Sequence, residues 1–81
     1  MAKKTSSNIV HEYFSKDLEG DRILVKVNPI TFFGSEILIG KDGKVELREM
    51  EFDSEIFEDL KEDGFEKANP LEFNLIISGL L

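Results

Sequence analysis

The residue types that could support catalysis are few in this chain. His11 is its only histidine and stands beside Glu12 and Tyr13, so it has the chemistry of a general base. No serine stands in a G-x-S-x-G motif or a comparable nucleophile setting. The absence of cysteine excludes disulfides, thiol catalysis and zinc sites with thiolate ligands. We therefore expect His11 to be a residue at the edge of the apolar core rather than a catalytic one.

Carboxylates at alternate positions suggest a second kind of chemistry, because oxygen ligands suit calcium and magnesium. Glu49, Glu51, Asp53 and Glu55 alternate in this way, and Asp42 lies in a turn. No D-x-D-x-D-G loop with a distal glutamate accompanies them. We expect neither a metal nor a cofactor, and no catalytic residue. A small metal-dependent enzyme or enzyme subunit is kept as the third functional hypothesis.

Charge is distributed unevenly along the 81 residues. The net charge is −7, and residues 42–73 alone hold twelve acidic and four basic side chains. A nucleic-acid-binding domain needs a basic surface, and none is visible, so we expect no nucleic acid partner. A strongly negative face favours a protein partner with a basic surface.

The acidic residues concentrate in a segment that we predict to be a helix over residues 53–63. Glu55 and Asp59, like Glu58 and Glu62, are like-charge pairs at i,i+4, and each pair costs about 0.2–0.5 kcal/mol in an isolated helix. A solvated face that keeps the protein dissolved is the more common role of such a run. The functional alternative is a partner-binding face made of Glu55, Glu58, Asp59, Glu62 and Asp63.

Phe32 and Phe33 are the candidate apolar anchors beside this face. Two adjacent residues of a regular strand point to opposite sides, so both rings cannot point inward. We expect the ring that does not point inward to be covered by a helix. An exposed ring would be a binding hot spot.

Two helices would position these groups, and the sequence signals for the second are clearer than those for the first. From Asn8 to Leu18 the apolar spacing predicts a first helix ending near Gly20, with a strand as the alternative because Ile9 and Tyr13 also fit an alternating pattern. Over 53–63, Asp53 is a good N-cap and Gly64 a natural C-terminal stop.

The strand predictions cover most of the remaining chain. Strands are expected over 22–30, 35–40, 44–52 and 71–79, with a tight Asp-Gly hairpin turn at 41–44. A bulge near Arg48 and Glu49 would bring Val45, Leu47, Met50 and Phe52 to one side. In the last strand we expect four residues to point inward: Leu71, Phe73, Leu75 and Ile77.

These elements predict a single small α+β domain over residues 8–81, preceded by a flexible N-terminus at 1–7. The expected order is α-β-β-β-α-β, with a mainly antiparallel four-stranded sheet and both helices packed on one face. No apolar run suggests a signal peptide or membrane span, so we expect a cytoplasmic protein without a membrane partner.

The leading functional hypothesis is a non-enzymatic protein-interaction module that uses the acidic helix. The second is a self-associating structural or accessory protein. Ile76, Leu80 and Leu81 are apolar where a solvated strand face should be polar, which suggests a homodimer through the C-terminal strand.

Overall fold

A computed structural model of the chain describes residues 10–80, so the predicted flexible segment 1–7 lies outside the described residues. An antiparallel sheet of five strands has the order β4-β3-β2-β1-β5. The α+β class, the number of helices and the antiparallel sheet are confirmed, with five strands instead of four. The elements are β1 (Glu12–Leu18), β2 (Asp21–Val27), β3 (Phe33–Ile39), β4 (Val45–Glu51), α1 (Ile56–Glu62), β5 (Glu66–Lys67) and α2 (Pro70–Leu80).

Strand β2 lies at the centre of the sheet and is buried on both faces. Leu24, Val25 and Val27 are 1%, 2% and 0% exposed. Successive side chains of a strand point to opposite faces, so Leu24 belongs to one apolar layer and the two valines to the other. Each face therefore needs its own cover.

Helix α1 covers the face that carries the two valines. Phe14, Val25, Val27 and Leu60 form a buried cluster there. Five half-buried apolar residues pack around it: Ile23, Phe52, Ile56, Phe57 and Phe65.

Helix α2 covers the opposite face. Leu24, Ile37 and Phe73 form the second buried cluster. Tyr13 packs at its edge, with its ring centroid 5.6 Å from that of Phe73. The prediction that both helices lie on one face is therefore wrong. The reason is that β2 carries apolar residues on both faces, so each face has to be buried by a helix.

The predicted helix over 8–18 is wrong for the described residues 10–18, and the strand alternative is confirmed for residues 12–18, which form β1. Tyr13 and Phe14 reach opposite apolar layers. A strand covered on both faces carries large apolar residues at consecutive positions, and this spacing also fits a helix. Gly20 (φ 99°) follows Glu19 (φ 46°) in the hairpin turn to β2 and does not end a helix.

The predicted last strand is also wrong, because residues 70–80 form α2. Leu71 and Leu75, expected to point inward, are 65% and 71% exposed. Phe73, Ile76 and Ile77 pack on the sheet instead, at the i, i+3, i+4 spacing of a helix.

The start of α2 explains why a helix forms here. Asn69 accepts a hydrogen bond at Oδ1 from the backbone N–H of Leu71 at 2.8 Å, and Pro70 occupies the first helical position. Asparagine at the N-cap followed by proline is a standard helix start. Phe73 and Ile77 fit both patterns: they belong to the predicted alternation of Leu71, Phe73, Leu75 and Ile77, and they also belong to the helical stripe with Ile76.

The β3–β4 hairpin follows the predicted turn. Gly43 has a φ of 89°, and the N–H of Gly40 donates to the carbonyl of Lys44 at 2.8 Å. The pairing then continues without interruption from Ile39 opposite Val45 to Phe33 opposite Glu51. The predicted bulge near Arg48 and Glu49 is therefore wrong, and Met50 lies on the face opposite Val45.

One side-chain pair ties α2 to the sheet. Arg22 of β2 donates from Nε and from one terminal nitrogen to the two carboxylate oxygens of Glu72, at 2.7 and 2.9 Å. Its other terminal nitrogen donates to Asp17 at 2.6 Å. Hydrogen bonding from Arg22 lowers the pKa of Glu72, and the two carboxylates raise the pKa of Arg22. A two-pronged pair of this kind fixes orientation as well as charge.

We predict that Glu72→Gln lowers the free energy of unfolding by about 1 kcal/mol at pH 7, a modest value because both side chains are about one third exposed. The folded pKa of Glu72 lies below the unfolded value of about 4.3. The pair's contribution is therefore complete above that value and lost as pH falls through the folded pKa.

Urea unfolding from pH 7 to pH 2.5 measures this effect. The difference between wild type and Glu72→Gln should close at acid pH. Glu66→Gln, at an exposed position of β5, is the control and should differ little from wild type throughout. A Glu72→Gln difference that persists unchanged to pH 2.5 would contradict the assignment.

Candidate interaction surface

The predicted acidic residues lie on the outer side of α1. Leu60 is buried and Ile56 and Phe57 are half-buried against the sheet, which leaves the other side of the helix to solvent. The acidic residues named from the sequence are all exposed: Glu55, Glu58, Asp59, Glu62 and Asp63. The structure therefore brings these five together on one short helix and its two cap positions.

Both ends of α1 are held by local hydrogen bonds. Asp53 Oδ1 accepts from the N–H of Glu55 at 3.0 Å, in the turn that leads into the helix. At the other end the N–H of Phe65 donates to the carbonyl of Leu60 at 2.9 Å, and Gly64 has a φ of 90°. This is the predicted glycine-dependent ending. The N-cap position is Glu55, two residues later than expected, and its side chain makes no capping bond.

The acidic side of α1 is unpaired, as are several exposed carboxylates of β4, whereas some other carboxylates within residues 10–80 form ion pairs. Asp17 and Glu72 pair with Arg22, and Glu36 pairs with Arg48. None of the ion pairs within residues 10–80 involves the five acidic residues of α1 and its caps. Lys16 lies near the C-terminal end of α1, but its ammonium group donates to the backbone carbonyl of Asp63 and not to a carboxylate. The negative charge of this surface is thus left to solvent or to a partner.

Phe32 and Phe33 part to opposite faces of the sheet. Phe32 has a φ of 64°, unusual for a bulky residue. Backbone hydrogen bonds hold it: its N–H donates to the carbonyl of Asn28 at 2.8 Å, and its carbonyl accepts from Phe52 at 2.7 Å. Its ring lies 6.3 Å from that of Phe57 in α1. Phe32 is therefore part of the support under α1.

Phe33 remains 58% exposed and points to the face that α2 covers elsewhere. It lines an open depression of about 420 Å³ together with His11, Lys26 and Glu49. Because α1 lies on the other face, the structure does not join Phe33 to the acidic residues in one contact surface.

His11 is half-buried at the margin of this depression. Partial burial, and secondarily the charge of Lys26, lower its pKa, so the ring favours its neutral form. Its side chain makes no hydrogen bond to another residue between 10 and 80.

The described part of the chain contains no group of three or more histidine, aspartate or glutamate side chains arranged to hold a metal ion. In particular, Glu49 and Glu51 lie on β4, whereas Asp53 and Glu55 lie in the turn that leads into α1.

Sequence reasoning missed a second exposed feature, the outer side of α2. Leu71 and Leu75 stand one turn apart and are largely exposed. The Asn69-Pro70 helix start was the signal that could have revealed this stripe. Neither helix between residues 10 and 80 combines the length and the apolar character needed to cross a membrane.

Comparison of the chain with protein-family models, with curated proteins and with solved structures finds no match.

Proposed function

We propose that this chain is a non-enzymatic interaction module that binds a protein with a basic surface through the outer side of α1. The observation that supports the proposal is the set of exposed, unpaired carboxylates on that helix, led by Glu58, Asp59 and Glu62. A negative surface of this kind accelerates encounter with a positive one and discriminates against other partners.

The stability of α1 supports the same proposal. The helix has seven residues, and Lys61 is the sole basic residue of its last turn. Glu58 and Glu62 repel each other, and Glu62 lies at the negative end of the helix dipole. Side chains selected for stability alone would alternate in sign here. A surface that costs stability is expected where binding requires it.

A neutralised helix tests the proposal. We predict that Glu58→Gln, Asp59→Asn and Glu62→Gln together lower the affinity for the basic partner by about tenfold. The same variant should be a few tenths of a kcal/mol more stable than wild type, because its like-charge contacts are gone. Pull-down at low salt from the lysate of the source organism, followed by titration of the captured protein, measures the effect.

The matched control is Glu46→Gln, Glu49→Gln and Glu51→Gln on β4. It removes an equal number of charges from the edge strand β4, where all three residues are exposed. Retained binding by this control together with loss by the helix variant would support the proposal. Equal binding by wild type and both variants would contradict it, as would an equal loss in both variants.

Self-association is the second candidate, and the exposed leucines of α2 favour it. The C-terminal element is a helix, so a dimer would use a helix face instead of the predicted strand edge. Leu71 and Leu75 form an apolar stripe on the outer side, and a small domain gains stability from covering such a stripe in a second copy.

Sedimentation equilibrium at high micromolar concentration tests this second candidate. We predict a dimer mass for wild type and a monomer mass for Leu71→Gln with Leu75→Gln. Leu47→Gln, at an exposed leucine of β4, is the control and should remain dimeric. A wild-type monomer at this concentration would contradict the candidate.

A further inference from the structure

An aromatic groove lies between α1 and the β1–β5 edge of the sheet, beside the acidic surface. Its volume is about 410 Å³, and its apolar lining consists of Phe14, Pro29, Phe57 and Phe65. The rings of Phe14 and Phe57 are tilted against each other with centroids 5.9 Å apart. This volume falls within the range of small-ligand sites, which are mostly apolar with a few polar groups.

The rim of the groove is basic, in contrast to the rest of this acidic protein. Lys61 and Lys67 line it together with Glu12. The ammonium group of Lys67 is already paired, because its Nζ lies 2.8 Å from the Glu12 carboxylate and 5.8 Å from the centroid of the Phe14 ring. Lys61 makes no ion pair with any residue in the range 10–80. The charged residues of the rim are thus two lysines and one glutamate, with a net charge of +1.

Helix geometry explains why Lys61 is on this side. Lys61 follows Phe57 by four residues, so both occupy the same flank of α1. The acidic residues occupy the outer side and the other flank. The ending of α1 then places Phe65 against the same cluster as Phe57. One flank of a short helix thus combines aromatic surface with a free ammonium group.

The backbone around the groove argues for a small ligand over a peptide. The outer edge of β1 already pairs with β5 at Phe14 and Ser15, and the carbonyl of Tyr13 accepts from Ala68 at 2.9 Å. Pro29 has no N–H to offer. With this part of β1 occupied, an added peptide strand would have to pair with the two residues of the edge strand β5, which is a short template. Polar recognition of a ligand in the groove is therefore assigned to Lys61.

From this geometry we propose that the groove binds a small apolar carboxylate, with its ring or chain on the phenylalanines and its carboxylate at Lys61 Nζ. The phenylalanine rings cover the apolar body, and the charge of Lys61 complements the anionic head. This site is separate from the acidic surface of α1 and does not depend on the proposed partner.

Residue-resolved amide NMR with 2-naphthoate as the probe tests the proposal. We expect saturable shifts at Phe57, Lys61, Phe65 and Lys67, with a dissociation constant on the order of 1 mM or below. The uncharged analogue 2-naphthamide should bind about fivefold more weakly. Equal binding of the amide, or shifts confined to residues outside the groove, would overturn the proposal.

Three single substitutions distinguish the charge of Lys61 from the net charge of the protein. Lys61→Gln should weaken 2-naphthoate binding about fivefold, and Lys61→Arg should preserve it. Lys44→Gln removes the same charge in the exposed β3–β4 turn and should leave the affinity unchanged. Equal losses in Lys61→Gln and Lys44→Gln would overturn the assignment of Lys61. Both positions are exposed, so the amide spectra of the three unliganded variants should show the wild-type fold.

Discussion

The burial of β2 on both faces is the constraint on which the rest of this structure depends. Leu24 and Val25 are adjacent in sequence, yet each is the centre of a different apolar cluster. Full burial of such a side chain is worth about 1.5–3 kcal/mol, so neither face can stay open to water. One short helix covers each face, α1 over the valines and α2 over Leu24. The candidate surfaces are placed by this division: the acidic side and the aromatic groove belong to α1, whereas the exposed leucines belong to α2.

The sequence predicted the elements whose ends carry specific turn chemistry. The Asp-Gly turn before β4 and the ending of α1 at Gly64 both appear in the structure, because positive φ at glycine is a local requirement that distant contacts rarely override. The two failures, residues 8–18 and 71–79, involve apolar spacing. Tyr13 and Phe14 serve two different layers, and no periodicity rule can assign adjacent apolar residues until both layers are known.

The candidate surface was predictable in part. The exposed acidic run on α1 follows from composition and helix period, because charged residues opposite Ile56, Phe57 and Leu60 must face water. The groove was not predictable, since Phe14, Phe57 and Phe65 come together only through the contact of β1 with α1 and the short strand β5. The separation of Phe32 from Phe33 likewise depends on the turn at Asn28 and on the positive φ of Phe32. Long-range contacts of this kind leave no local sequence signal.

The most direct test of the two-sided arrangement is a set of proton–proton NOE measurements on the ring of Phe73 in solution. If α2 and α1 lie on opposite faces, this ring contacts Tyr13, Leu24 and Ile37 and makes no contact with Phe57. Residues 70–79 then show helical Cα chemical shifts. Extended Cα shifts over residues 71–79, or contacts between Phe73 and the side chains of α1, would contradict it. Either result would mean that α2 does not cover the second face of β2.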